Sequence, residues 1–300
     1  MLNFPAAPVI SRLAPTPSGF LHLGNAVNFT LTWLLTRQAG GTLHLRIDDL
    51  DRARFRPVYL ENIFRTLDWL GLDYDHGPTG PGDFEHNFSQ QHRLPEYEAV
   101  LQAAHAAHPE LFYACCCSRA ELARQALPAG RYVGTCRPAG LPLAAADTAW
   151  RAAVPAGANA AFSDLAQGDM RIWVAQDPGD FVVRKKDGVA AYQVASVVDD
   201  VRLGVNLIVR GLDLLTSTAA QLWLAPYLSE QGGFTQTRFL HHELLRDEDG
   251  HKLSKSTQGG ARRGILEEAA TPQVVYHAVA RLLGLPSAAG ESLAALVEEK

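Results

Sequence analysis

The sequence predicts an α/β fold built on a parallel sheet, and three observations carry that expectation. First, Val9–Leu13 reads as a short apolar strand, Val27–Ala39 is apolar at helical spacing, and Thr42–Ile47 alternates again as a strand. Two strands joined by a helix imply a right-handed parallel crossover. Second, "VNLIVRG" is a continuous apolar run of the kind buried in a parallel sheet, and a helical pattern follows it at Thr218–Ser229. Third, the first strand-to-helix turn is "PTPSGFLHLGN", Pro15 to Asn25, a rigid and bare loop with one imidazole. Strand–turn–helix junctions with glycine at the helix start hold phosphates in α/β sheets, through free amides and the helix dipole.

The remaining elements follow in order. A second helix is expected over Val58–Leu70, with Leu60, Ile63, Phe64, Leu67 and Leu70 on one face, and "LGLDYDHGPTGPGD" ends it with turn residues. Helical pattern resumes over Pro95–His108. Residues 138–161 are rich in alanine and proline and show little pattern, so Tyr113–Asp177 reads as an insertion. "FVVRKKDGVAAYQVASVVDD" reads as a hairpin turning at Asp187-Gly188 and running into a helix. "RFLHHELLRDEDGHKLSKS" reads as a strand, a turn at Asp249-Gly250 and a basic loop, and a helical tail closes the chain.

Bulk properties bound the function. Three hundred residues, 47% of them hydrophobic, suffice for a substantial core. No apolar run reaches the roughly 18 residues of a membrane span, and "MLNFPAAPVI" has no signal-peptide pattern. The expectation is a soluble cytoplasmic protein. A net charge of −5 excludes nucleic-acid binding by bulk charge, though a local basic patch suffices for an RNA partner. All four cysteines lie between Cys115 and Cys136, a clustering that reads as metal or chance rather than as a disulfide framework.

Neither G-x-G-x-x-G nor G-x-x-x-x-G-K-[ST] occurs in the first loop. Alone, His22 is an ordinary loop histidine, and "KLSKS" (Lys252–Ser256) an ordinary solvated run. Together, in this order and at this separation, they resemble the two ATP-binding motifs of class I aminoacyl-tRNA synthetases, HIGH and KMSKS. "SRLAPTPSGFLHLGN", "GGTLHLRIDDLD", "LDWLGLDYDHGP", "YACCCSR", "GDFVVRKKDG", "AYQVASVVDD" and "VRGLDLLTST" are similar to the glutamyl branch of that class, over roughly residues 9–260. Amino-acid activation builds negative charge on phosphate oxygens, and preorganised donors there lower the barrier. The resemblance implies that His22, Lys252 and Lys255 are those donors. It implies ATP contact at Gly19, His22, Gly24, Asn25, Lys252 and Lys255, with Mg²⁺ accompanying the ATP. Asn25 stands where the motif has a second histidine, and Leu253 where it has methionine.

Glutamate presents two carboxylates and one ammonium, so a selective pocket needs two fixed cations and one anion. By motif these are Arg12, Arg210 and Asp48, with Thr16 and Tyr192 as hydrogen-bonding neighbours. Guanidinium forks bind carboxylates bidentately, whereas a surface ion pair contributes under about 1 kcal/mol. Glutamyl enzymes usually carry glutamate at the position of Asp48 and glutaminyl relatives aspartate. Arg210 in "VRG" argues for glutamate, because a buried guanidinium facing a neutral amide loses its partner. Asp49 and Asp51 read equally as a structural helix start or as substrate contacts.

Cys115-x-Cys117, then Tyr132 and Cys136, resemble the zinc site of the glutamyl-queuosine branch. Structural zinc takes four ligands in a tetrahedron. A phenolate is an unusual fourth, so Tyr132 enters through the resemblance alone. Cys116 could replace a neighbour, His105 or His108 could displace Tyr132, and metal-free buried thiols are the bland reading.

The resemblance implies a class I Rossmann-type parallel sheet over 1–112 and 178–240. It also implies an inserted, zinc-containing, acceptor-binding-like subdomain over 113–177, and a KMSKS loop and short helical extension over 241–300. Ser256 is followed only by the tail to Lys300, too little for an anticodon-binding domain. The chain therefore resembles the shortened glutamyl-Q tRNA(Asp) synthetase family, and the resemblance implies activation of glutamate and its transfer to queuosine in the anticodon loop of tRNA(Asp). The alternatives are a short glutamyl-tRNA synthetase charging the 3′ end, an adenylate-forming ligase for another acceptor, and a non-catalytic RNA-binding paralog. Fold analogy suggests a monomer.

Overall fold

The structure, a computed structural model, describes residues 8–125, 131–132, 134–228, 233–245 and 264–299, the side chains of 119 and 125 aside. Lys252, Lys255 and the turn read at Asp249-Gly250 lie outside the described residues. In chain order the elements are β1 (Ile10–Leu13), α1 (Leu23–Gln38), β2 (Thr42–Leu45), α2 (Pro57–Trp69), the single turn α3 (Pro81–Asp83), α4 (Leu94–Ala107), β3 (Phe112–Cys115) and α5 (Arg119–Gln125). There follow β4 (Ala149–Ala152), β5 (Ala160–Asp164), β6 (Gly168–Ile172), β7 (Val182–Arg184), α6 (Tyr192–Arg202), β8 (Leu207–Gly211) and α7 (Leu215–Leu228). β9 (Arg238–His242), α8 (Ile265–Glu268), α9 (Gln273–Leu282) and α10 (Leu293–Glu298) complete the order.

The chain divides into two compact units, Met1–His92 with Val205–Asp213 and Arg238–Lys300, and Arg93–Gly204 with Leu214–Thr237. In the first, β1 pairs parallel with β2 and β8 parallel with β9. β8 runs alongside β1, where the Asn206 amide donates to the Ile10 carbonyl (2.9 Å) and Ser11 Oγ to the Leu207 carbonyl (2.8 Å). The strands therefore end along one carboxyl edge, where open α/β sheets bind their ligands. α1 covers them with Val27, Leu31, Leu34 and Leu35 buried. It is buried nearly all round, and two of its inward threonines satisfy themselves on the preceding turn. Thr32 donates to the Asn28 carbonyl and Thr36 to the Thr32 carbonyl, both at 2.7 Å.

The second unit holds the antiparallel sheet β3-β4-β7 and the hairpin β5-β6. Its helices α4, α6 and α7 pack on one another, and Arg93 clamps Asp199 through two nitrogens, at 3.1 and 2.9 Å. Contacts thus group α4, α6 and α7 with the insertion, whereas the sequence boundaries cut at 113 and 177. The stretch that shows little pattern contains β4, all four of whose residues are buried. A strand covered on both faces has no alternation to read. The hairpin turn at Asp187-Gly188 is present, closed by the Lys185 amide donating to the Val189 carbonyl (2.8 Å), and α6 follows it. Among the described residues no helix is long and apolar enough to cross a membrane.

Candidate functional site: strand ends, a capped helix and a thiol cluster

α1 begins earlier than its apolar pattern suggests, because His22 caps it. His22 Nδ1 accepts the Gly24 amide at 3.1 Å, and Asn25 Oδ1 reaches back to accept the His22 amide at 3.2 Å. This reciprocal pair is a capping box with imidazole in place of the usual hydroxyl. It explains Asn25: a short amide at the third helical position closes the box. Nδ1 as acceptor puts the proton of the neutral ring on Nε2 and leaves that N–H as a donor. A methyl at Gly24 would stand 3.1–3.2 Å from the imidazole, while one at Gly19 would meet nothing within 4 Å. Gly24 is bare for the cap; Gly19 is bare with open space over it.

The loop is anchored on both sides. Leu21 donates its amide to buried Asn62 Oδ1 (3.0 Å) and its carbonyl accepts the Ile265 amide (2.7 Å). On β9, His242 Nδ1 donates to the Glu243 carbonyl (2.8 Å), so Nε2 accepts from Asn28 Nδ2 of α1 (3.2 Å). Burial lowers the pKa of His242 and keeps it neutral for this role. Of the described residues on either side of the basic loop, His242 thus touches the helix and Ile265 the first loop.

Arg12 on β1 and Arg210 on β8 are 4% and 3% exposed, each near the carboxyl end of its strand. The Arg210 guanidinium lies 6.0 Å from the Phe239 ring centroid. Beyond β2, the Asp48 amide donates to the Pro15 carbonyl (2.9 Å), which joins "RIDD" to the loop that carries Thr16. Asp48 is held bidentately by Arg46, Nε to Oδ1 at 2.7 Å and Nη2 to Oδ2 at 3.1 Å. Asp49 is fully buried and accepts from Ser89 Oγ (2.6 Å), the Gln90 amide (2.8 Å) and Arg52 (2.9 Å), which makes it a structural clamp. Asp51 is a surface partner of Arg54. Arg12, Thr16, Gly19, His22, Gly24, Asn25, Asp48 and Arg210 all belong to the first unit; Tyr192 opens α6 in the second and is 41% exposed. Sequence reasoning passed over Arg46, Asn62 and His242. The period of two in "RID" is the signal for Arg46, since Arg46 and Asp48 share a side of the extended chain.

In the second unit the thiol sulfurs of Cys115, Cys117 and Cys136 lie within 4.8 Å of one another. Tyr132 Oη stands 3.6 Å from Cys115 Sγ and 3.4 Å from Cys117 Sγ, and it accepts the Cys136 amide at 2.9 Å. A tetrahedral zinc with bonds of about 2.3 Å to sulfur and 2.0 Å to oxygen puts its ligands roughly 3.5–3.8 Å apart. The separations Tyr132–Cys115 (3.6 Å), Tyr132–Cys117 (3.4 Å) and Cys117–Cys136 (3.4 Å) are close to that spacing. Cys116 is exposed, 3.8 Å from Cys136 Sγ, and outside the group of three. The histidines are engaged elsewhere, His105 against Trp150 and His108 against Tyr227. Burial works to raise the Cys136 thiol, but hydrogen bonds from Tyr132 and Cys117 outweigh it and hold its pKa down to about 6. Burial pushes Cys117 up to about 11 and Tyr132 well above its ordinary value. A metal entering here would displace protons from both.

The sequence pattern of the family described as "tRNA synthetases class I (E and Q), catalytic domain" matches residues 8–299. The chain belongs to this class I tRNA synthetase family. Within the family it is 41% identical over 247 residues to the "Glutamyl-Q tRNA(Asp) synthetase" of Pseudomonas aeruginosa, covering 82% of this chain and 77% of the relative. It is also 41% identical over 287 residues to the protein of that name from Symbiobacterium thermophilum, covering 91% and 86%. Among solved structures, a glutamate tRNA ligase from Elizabethkingia meningosepticum in complex with its amino acid superposes with a TM-score of 0.73 at 23% identity, over 98% of this chain and 65% of that one. That likeness is one of fold, and this class I synthetase chain spans about two thirds of the ligase. The mixed α/β architecture with parallel strands is the fold of the family's catalytic domain.

Proposed function

We propose that this chain activates L-glutamate with ATP, independently of tRNA, and transfers it from glutamyl-adenylate to queuosine at the wobble position of tRNA(Asp). One observation carries the reading: two buried guanidinium groups and a carboxylate lie at the carboxyl edge of parallel strands, beside a helix whose cap is a histidine, in a chain with 41%-identical relatives named for that reaction.

Arg12 and Arg210 hold the two carboxylates of glutamate. Asp48 receives the ammonium, its carboxylate oriented by the Arg46 fork and by Gln90; Thr16 and Tyr192 add hydrogen bonds. Gly19, His22, Gly24 and Asn25 receive the nucleotide, and Mg²⁺ accompanies it. An oxygen of the glutamate α-carboxylate attacks the α-phosphorus, the bond to the β-phosphate oxygen breaks, and pyrophosphate leaves. His22 Nε2–H, Lys252 and Lys255 donate to the phosphate oxygens as their charge grows. An acceptor group on the queuosine base then displaces AMP from the acyl carbon. Zinc, held by Cys115, Cys117, Tyr132 and Cys136, supplies a structural cross-link in the 113–177 insertion, which contacts the RNA. The protein acts as a cytoplasmic monomer.

The test is ATP–pyrophosphate exchange with glutamate against glutamine, with and without tRNA. Exchange with glutamate alone supports the reading. A requirement for tRNA indicates a short glutamyl-tRNA synthetase, exchange with glutamine overturns the pocket assignment, and no exchange under any condition leaves a binding protein.

A further inference from the structure

His105, one of the histidines weighed as a metal ligand, lines a separate cavity of about 510 Å³ in the second unit. That volume lies within the roughly 300–1,000 Å³ of small-molecule sites. His105 Nδ1 is buried behind the cavity wall without a hydrogen-bond partner, an unmade bond that folding ordinarily avoids. The ring stands edge-on to Trp150, with centroids 6.1 Å apart. Arg184, opposite Trp150 in the β4–β7 register, carries its guanidinium 5.2 Å from the same ring. Lys186 adds a second cation; its Nζ donates one hydrogen bond to the Cys116 carbonyl (2.7 Å) and keeps two protons to offer. Two acceptors balance these donors. Gln102 gives its N–H to Glu98 (2.8 Å) and retains its carbonyl, and Asp147 contributes a carboxylate from left-handed backbone at φ 54°.

Cations beside a planar, partly aromatic wall with both donors and acceptors are the requirements of a base linked to a phosphate. A flipped-out base stacks on histidine, tryptophan or arginine planes and is read along its polar edge. Glu98 lies 3.2 Å from Arg184 and offsets part of the positive charge, so phosphate alone is not the best match to this lining. We infer that the cavity binds one nucleoside monophosphate unit, with Lys186 and Arg184 on the phosphate and the His105 ring beside the base. The source we favour is a nucleotide of the acceptor RNA, and that choice rests on the proposed function.

Two variants test this. His105→Phe keeps an aromatic edge against Trp150 and removes both ring nitrogens; Lys186→Glu reverses an exposed charge. Each is assayed by filter binding to a 4-thiouridine-bearing tRNA(Asp), by crosslink mapping, and by equilibrium dialysis with the four 5′-nucleoside monophosphates. Expected are a rise in tRNA Kd of about tenfold or more and loss of crosslinks to peptides containing residues 102–105, 143–150 or 184–186. Saturable mononucleotide binding that both variants abolish, with unchanged tRNA affinity, supports the cavity chemistry and assigns it to a free nucleotide. Tight tRNA binding within twofold of wild type, no mapped crosslink and no variant-sensitive mononucleotide binding overturn the inference. RNA-free exchange with glutamate separates the two readings. It is expected to stay at the wild-type level in both variants, and its absence in the wild type would count against the proposed function while the dialysis still reports on the cavity.

Discussion

The first loop and the thiol cluster are both small constellations of polar side chains, yet they are built by opposite means. In the loop, His22, Gly24 and Asn25 are sequence neighbours and organise one another through backbone amides at 3.1 and 3.2 Å. In the cluster, Cys115 and Cys117 meet Tyr132 and Cys136 from the other side of a helix and a turn, through side-chain contacts of 3.4–3.6 Å. A constellation organised by its own backbone is preformed and tolerates the loss of a neighbour. One organised by convergent side chains depends on whatever holds the convergence, and here a metal is the natural cross-link.

The largest effect should break the strand-end half of that comparison. Arg210→Ala is expected to lower glutamate-dependent pyrophosphate exchange by about 10²-fold or more, the scale of leaving a buried charge unpaired. ATP binding, measured by dialysis, should stay nearly intact; surviving glutamate activation would mean that Arg210 does not face the substrate.

Next, Cys117→Ser should remove a ligand from the thiol cluster. Zinc content, read by elemental analysis, should fall below one per chain, and thermal unfolding should drop by about 5–10 °C. RNA-free glutamate activation should persist, which would show that the cluster serves structure and RNA rather than adenylate chemistry. Unchanged metal content and melting temperature would remove Cys117 from the ligand set.

Asn25→Ala tests how far the loop organises itself. Loss of half the capping box should cost about 1 kcal/mol in denaturant unfolding. Exchange should fall only several-fold, because Gly24 still fixes the His22 tautomer. A loss as deep as that of His22→Ala would show that Asn25 touches the nucleotide directly.

The smallest effect concerns pH. Burial lowers the pKa of His242, whose neutral ring bridges Asn28 and the Glu243 carbonyl. A base with a depressed folded pKa contributes fully above its unfolded value of about 6.5 and loses that contribution as pH falls through the folded value. Wild-type melting temperature should therefore decline more steeply than that of His242→Gln between pH 7 and pH 5. Parallel curves would mean that another group carries the acid sensitivity.

Much of this was legible in the sequence because it is local. The crossover β1–α1–β2, the hairpin turn at Asp187-Gly188 and the strand holding Arg210 all follow from periodicity and turn chemistry over a few residues. Element ends were less legible where a side chain overrides the pattern. His22 starts α1 four residues before the apolar run, because capping depends on hydrogen bonds and not on hydropathy. β4 was hidden because both its faces are covered.

By itself, then, the sequence determined which chemical groups are present and in what order: a histidine loop, a basic loop, two strand-borne arginines and a run of thiols. Only the tertiary structure decided which of them act as neighbours. It showed Asp48 already held by Arg46, Asp49 consumed by Ser89, Gln90 and Arg52, Cys116 set apart from the other thiols, and His105 turned toward a cavity instead of a metal. The physical reason is range. Backbone propensities act over a few residues, whereas charge pairing, ligand geometry and burial depend on distances in space that the order of residues does not encode.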